Sequence, residues 1–380
     1  LNDNIKAIET AFILDREQRT PTARERLLLE RYCGFGGLKC ILNPARELAD
    51  AVHWAKSDLE LFAPTVELHR LIRENSKNES EYKQLMDSLK QSVLTAFYTP
   101  SAVTEALTDV LKEHQIIPEK VLEPSAGIGA FVDSVLDNNP KADIMAFEKD
   151  LLTGKILRHL HPEQKVRIEG FEKIEKPFND YFDLAISNIP FGDVAVFDPS
   201  YTAMKGMRAL VTRRIHNYFF VKALDTVRDG GLVAFITSQG VLNAKNNSAA
   251  RFMMLYHADL VSAIRLPNNL FTENANTEVG SDLIILQKNT QKESLRGDDN
   301  LLDTVYNDEN RIPTNNYFLE HPERIIHTTA KLDTDPFGKP AMIYTHEDGV
   351  EGIAEDLRKM LHEDFKKNLN LNRYLGIEET

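Results

Sequence analysis

Leu122-Glu123-Pro124-Ser125-Ala126-Gly127-Ile128-Gly129-Ala130-Phe131 sets two glycines in a turn directly after an apolar stretch. Glycine lets a backbone approach a ligand closely, and open α/β sheets bind ligands at the carboxyl ends of their strands. The run lacks the third glycine of the dinucleotide fingerprint and any Gly-Lys-Ser/Thr, which disfavours NAD and nucleoside triphosphates. A purely structural turn is the plain alternative. Glu148 ends the next apolar stretch, in Ala146-Phe147-Glu148-Lys149-Asp150. A carboxylate there can accept both hydroxyls of a ribose, or simply start a helix and complement its dipole. Ser187-Asn188-Ile189-Pro190-Phe191-Gly192-Asp193 combines an amide oxygen, a stiffened turn and an aromatic face. That combination suits a planar base bearing an exocyclic amine, and its alternative is an ordinary turn after a strand.

These residues need strands to end where they stand. Short apolar runs predict strands over Lys120–Glu123, Ala142–Phe147, Lys165–Glu169, Phe182–Ser187, Leu232–Thr237, Leu260–Arg265 and Ser281–Gln287. Helical patterns separate most of them, at Ala130–Leu136, Leu151–Leu160, Ile215–Arg228 and Ala249–Tyr256. Alternating strand and helix predicts an α/β fold, a mainly parallel sheet covered on both faces, with an antiparallel strand at the edge where the last two strands follow closely. Before it, apolar spacings of three and four predict helices over Arg24–Arg31, Ala45–Phe62 and Val66–Leu89. The cluster Cys33-Gly34-Phe35-Gly36-Gly37 follows a helix rather than a strand, so a cap and tight turn is expected there, not a phosphate cradle. After Leu286 a polar linker leads to short helical pieces at Tyr317–Glu320 and Ile353–Leu361, packed on the sheet or belonging to a next module. The expected division is a helical region over 1–92, a ligand-binding α/β domain over 93–290, and a linker with an acidic extension over 291–380.

The chain has 380 residues, 42% hydrophobic and 27% charged, an ordinary globular composition. Two cysteines, Cys33 and Cys40, exclude a disulfide scaffold, and with no ligand spacing among the 11 histidines no metal site is expected. No apolar run approaches the ~20 residues of a membrane span, so a cytoplasmic protein without a membrane partner is expected. It opens without Met, which suggests a piece of a longer chain. The net charge of −13 argues against a nucleic-acid partner until it is mapped. Residues 201–290 carry 10 Lys and Arg against 6 acids, whereas 291–380 carry 11 against 19. A basic face in the middle therefore remains available.

With these motifs in order, most of residues 95–290 resembles the adenine-N6 DNA methyltransferases that use S-adenosylmethionine, a family of Rossmann-like sheets. Phe97-Tyr98-Thr99-Pro100 is similar to the family's Tyr-Thr-Pro segment, which touches the methionine part of the cofactor. Glu123, Pro124, Ala126, Gly127, Gly129 and Phe131 resemble its glycine loop, and Glu148 falls where ribose is held. Glu169-Gly170-Phe171-Glu172 lies near where the cofactor adenine is held, which implicates Phe171 and Glu172. Asn188-Ile189-Pro190-Phe191 resembles the catalytic Asn-Pro-Pro-Tyr/Phe loop, and Ala263 to Phe271, followed by Thr277, resembles the segment near the extruded base.

The resemblance implies that Asn188 and the Ile189 carbonyl accept hydrogen bonds from the target amine, while Phe191 stacks on the base and Phe271 holds its other side. Ile189 stands where the family has its first Pro, which implies a looser loop that Ile189→Pro would stiffen while preserving or raising activity. Lys205, Arg208, Arg213 and Arg214 follow the catalytic loop, where they contact DNA phosphates or are merely solvated. More narrowly, Asn188 to Asp193, Ile215 to Phe219, Gly230 to Val233 and Asn316 to Glu323 resemble methylase-helicase proteins of bacterial mobile elements, which implies a fused or associated helicase or recognition module. Related catalytic loops serve methylation of RNA or of protein glutamine. A degenerate module that binds cofactor or DNA without catalysis is the non-enzymatic alternative.

Overall fold

A computed structural model of the protein describes residues 1–271, 280–295, 297–307, 309, 311–335 and 338–377. Its centre is a seven-stranded sheet in the order β3-β2-β1-β4-β5-β7-β6. The strands are β1 Lys120–Glu123, β2 Asp143–Phe147, β3 Lys165–Arg167, β4 Phe182–Asn188, β5 Val227–Ser238, β6 Ala258–Leu266 and β7 Ser281–Lys288. Pairs among β1 to β5 are parallel, whereas β7 runs antiparallel to both β5 and β6. The expected antiparallel strand therefore lies one place in from the edge. Because β1, β2 and β4 are parallel neighbours, Glu123, Glu148 and Asn188 all emerge on one rim of the sheet.

Helices α1 Asn2–Glu17, α2 Ala23–Glu30, α3 Phe62–Glu74 and α4 Glu79–Thr95 precede the sheet, and α5 Ser101–Glu113 leads into it. Between strands come α6 Ala130–Asn138, α7 Leu151–Leu160, α8 Pro199–Met204, α9 Gly206–Val211, α10 Ile215–Thr226, α11 Gly240–Asn243 and α12 Ser248–His257. The helical region is joined to the sheet domain by its core: Ile8, Phe12, Leu68 and Ile72 pack with Leu152, Ile156 and Leu160 of α7. The expected boundary at residue 92 falls inside α4.

Three expected helices change. Over 45–62 the chain forms two short 3-10 segments, Leu48–His53 and Lys56–Leu61, because Leu48 and Val52 meet no core and stay 80% and 82% exposed. The helix expected over 66–89 is two helices, since Asn78 accepts the Glu81 N–H at 2.9 Å and starts α4 afresh. Helix α10 stops at Thr226 because Val227 already pairs with Phe182 in the sheet.

The acidic extension is part of the fold. Helix Gly349–Asn368 buries Ile353, Leu357, Leu361 and Phe365 in the same core as Val103, Val121 and Ile264. Among the described residues no helix is long and apolar enough to cross a membrane, and no group of three His, Cys, Asp or Glu could hold a metal.

Candidate active site

Strand β1 delivers Glu123 to the rim, where it is 1% exposed and accepts the Ser125 N–H at 2.9 Å. The chain then turns through Gly127, at φ +55, where an added Cβ would lie 2.9 Å from Cε1 of Tyr98. Glycine is required there on both backbone and steric grounds. From β2, Glu148 reaches back: its carboxylate accepts the Gly127 N–H at 2.7 Å and the Asp150 N–H at 2.8 Å. The glycine turn and the end of β2 are thus tied together as the two walls of the candidate crevice, with the Tyr98 ring packed against Gly127. The Thr99 hydroxyl is buried with no hydrogen-bond partner among the described residues. Such an atom costs on the order of 1–3 kcal/mol until something bonds it.

Burial pushes the Glu123 carboxyl up to about 8. Glu148 is raised to about 7, by burial first and then by the nearby Asp150 carboxylate. A buried unbonded hydroxyl and two carboxylates with no cation beside them among the described residues fit a ligand bearing hydroxyls and positive charge, as S-adenosylmethionine does.

The folded chain holds protons on these two groups that the unfolded chain releases above the ordinary glutamate value of 4.5. Their contribution to stability is therefore full below that value and falls as pH rises towards about 8. A cationic ligand favours the ionised forms, so its binding is expected to strengthen over the same interval with release of protons. Calorimetry in buffers of different ionisation enthalpy checks this. Binding without proton release at pH 7 would contradict it.

Asn188 closes β4 at the same rim. Its Nδ2 donates to the Phe97 carbonyl oxygen at 3.0 Å, which turns Oδ1 away from that contact and leaves it as an acceptor. Ile189 is 2% exposed, and its N–H donates to the Ile236 carbonyl at 3.0 Å. This corrects the expectation of a looser loop: a ladder hydrogen bond and a core side chain hold the position a proline ring would otherwise stiffen. Proline has no N–H to donate. Ile189→Pro is accordingly expected to lower thermal stability and reduce activity, measured by melting and initial rates. Wild-type stability in that variant would refute the bond's role.

Several expected contact residues are instead core. Phe131 is 2% exposed on the inner side of α6, and Phe271 is 0% exposed in the same apolar cluster. Phe171, 1% exposed, packs at 5.2 Å from Phe219 and 5.8 Å from Phe147. Glu172 folds its carboxylate over Gly170. Pro124 and Ala126 are buried in the turn beside Gly129, which caps α6, and Pro190 and Phe191 are half-buried at the rim.

Arg208 is also corrected: it forms a two-point ion pair with Asp225, at 2.5 and 3.0 Å, and lies over the Tyr201 ring. Arg214 pairs with Asp193 at 3.0 Å. Lys205 and Arg213 are exposed. Thr277 lies outside the described residues.

Sequence reasoning missed two groups. Thr237 Oγ1, Gln239 Nε2 and Ser281 Oγ are buried without partners among the described residues, at the end of β5 and start of β7. Asp150 is held by Ser88 and by Thr153 at 2.5 Å, and Thr153 bonds the Tyr32 hydroxyl at 3.1 Å. The first group had polar residues at strand ends as its sign; the second joins Tyr32, Ser88, Asp150 and Thr153 from separate helical segments, which no local pattern marks.

The N-6 DNA Methylase family matches residues 80–379. The defense against restriction protein B of Escherichia phage P1 is 29% identical over 201 residues, 51% of this chain and 8% of that protein. The type II methyltransferase M.XamI of Xanthomonas campestris pv. amaranthicola is 25% identical over 173 residues, 42% of this chain and 33% of that protein. The matches thus take in a third or less of either relative's length. Among solved structures, the M protein of the type I restriction enzyme EcoKI aligns over 98% of this chain and 90% of that one, with 14% identity and a TM-score of 0.40. With a family match over most of its length, the chain belongs to the N-6 DNA Methylase family.

Proposed function

We propose that the protein transfers a methyl group from S-adenosylmethionine to the N6 amine of adenine in DNA, directly and after extrusion of the base. The observation that carries this reading is the oriented Asn188 amide at the end of β4, one strand away from the glycine turn. Gly127, Glu148 and Thr99 would hold the cofactor. When bound, it supplies an electrophilic methyl carbon to which the adenine nitrogen bonds as the carbon–sulfur bond breaks and an amine proton passes to water.

Adenine cannot present its amine from within a duplex, and extruding it costs a few kcal/mol of stacking and pairing. Phe191 returns part of that cost by stacking on the base. Asn188 Oδ1 and the Ile189 carbonyl accept the amine hydrogens and so draw the nitrogen lone pair towards the methyl carbon. Both acceptors are fixed before substrate arrives, Asn188 by Phe97 and Ile189 by Ile236. Such preorganisation lowers the barrier because no dipole must turn during the reaction. Lys205 and Arg213, the exposed cations of the segment after the catalytic loop, supply phosphate contacts. The phage relative is far longer than the stretch that matches this chain, which supports a larger protein, and a fused or associated helicase or recognition module is part of the same proposal.

Labelled methyl transfer to duplex DNA, RNA and protein in parallel tests the reading. Label recovered as N6-methyladenine in DNA supports it. Label on RNA or protein alone assigns a different substrate, and cofactor binding without transfer to any of the three assigns a binding module.

A further inference from the structure

The Cys33–Gly37 turn lies outside every motif used so far. Gly34 is at φ +69, and a Cβ there would come within 2.8 Å of the Tyr98 hydroxyl and 2.9 Å of the Ala96 Cβ. On the other edge of the same ring, a Cβ at Gly127 would lie 2.9 Å from Cε1. Tyr98 is gripped edgewise between two positions that have no room for a side chain, one in the cofactor crevice and one in the N-terminal region. A turn that only ended a helix would need the positive φ, which Asn also adopts, but not an empty position facing a tyrosine.

The turn itself is firmly tied. Asn4, 1% exposed, donates from Nδ2 to the Gly34 carbonyl at 2.5 Å and accepts the Cys33 N–H at 2.8 Å. The Phe35 N–H donates to Ser92 Oγ at 3.1 Å, and the Gly37 N–H donates to the Val93 carbonyl at 3.1 Å. Just before the turn, Tyr32 joins Thr153 and through it Asp150, whose N–H binds Glu148. The N-terminal region therefore braces both walls of the crevice: the Tyr98 wall by contact, the Glu148 wall by hydrogen bonds.

We propose that the Cys33–Gly37 turn is the outer brace of the cofactor site, with Gly34 a positioning residue that sets Tyr98 against the glycine turn. This rests on the reading that the crevice takes S-adenosylmethionine. Gly34→Ala in the full chain is expected to weaken S-adenosylmethionine binding roughly tenfold, since residues in direct contact couple by a kcal/mol or so. It should raise KM for the cofactor while kcat at saturation is kept. Tyr98→Phe removes the nearest of the atoms the new Cβ meets and leaves the Ala96 Cβ contact, so Gly34→Ala should cost distinctly less affinity in the Tyr98→Phe background than in the native chain. Gly376→Ala is the control for backbone strain: its φ is also +69 but nothing lies within 4 Å of the added Cβ. It should lower the melting temperature and leave cofactor affinity unchanged.

Unchanged affinity in folded Gly34→Ala overturns the inference alone, as does an effect equal in the presence and absence of the Tyr98 hydroxyl. No binding by the native chain overturns this inference together with the cofactor reading. Where Gly34→Ala does not fold, Asn4→Ala loosens the same turn without adding an atom and carries the same expectation and the same refutation.

Discussion

Asn188→Ala is expected to cut the rate of adenine methylation by about a hundredfold or more, since one preorganised polar contact in a catalytic pocket is worth ~3 kcal/mol. Cofactor affinity should stay close to that of the native chain. The division follows from position. Asn188 is tied to Phe97 and to no residue of the glycine turn or of β2. Its free Oδ1 would meet the target amine and nothing of the cofactor. The loss should appear in kcat, with calorimetry showing S-adenosylmethionine bound as before. Full methylation by the variant would refute the direct-transfer mechanism. A parallel loss of cofactor binding would show instead that the Asn188–Phe97 bond holds the Tyr98 segment in place.

Gly127→Val is expected to have the opposite signature: cofactor binding weakened by roughly a hundredfold or more, with catalysis failing for want of cofactor. Two costs add. The residue would be held at φ +55, which costs on the order of 1–3 kcal/mol for a branched side chain. Its Cβ would also meet the Tyr98 ring at 2.9 Å, and only displacement of that ring relieves the contact. The same movement strains the Glu148 bond to the Gly127 N–H and so disturbs both walls of the crevice. Circular dichroism establishes that the variant is folded, and calorimetry then reads affinity. Native affinity in a folded Gly127→Val would remove the crevice as the cofactor site.

The strands were legible because their apolar runs are short, rich in branched residues and bounded by turn formers, and all but β5, which starts at Val227 instead of Leu232, begin within about two residues of the expected start. The stretch over 45–62 misled because Leu48 and Val52 recur at helical spacing yet find no surface to bury against. Spacing reports that a helix could be amphipathic, not that a partner face exists. Phe131, Phe171 and Phe271 misled for a related reason, since an aromatic residue beside a motif reads the same whether it turns to ligand or to core. Arg208 was read without its partner because Asp225 sits 17 residues on, across two helices. The bond from Asn188 to Phe97 joins positions 91 residues apart, and no local pattern announces such a contact. The rim carboxylates and the glycine turn were legible because strand ends fix their place. What orients them was not, because it comes from distant segments.

The helix Gly349–Asn368 bears on how the chain is made. Its apolar side completes a core that begins at Val103 and takes in β1, β2, β4, β5, β6 and β7. A ribosome therefore delivers every motif of the catalytic rim before it delivers the cover for one flank of the sheet. Until that helix emerges, Leu232, Ile264 and Leu283 belong to an apolar surface still open to water or to chaperones. Pairings this distant in sequence also fold slowly. A chain ended before Gly349 would therefore carry every catalytic motif and still leave that flank of the sheet bare.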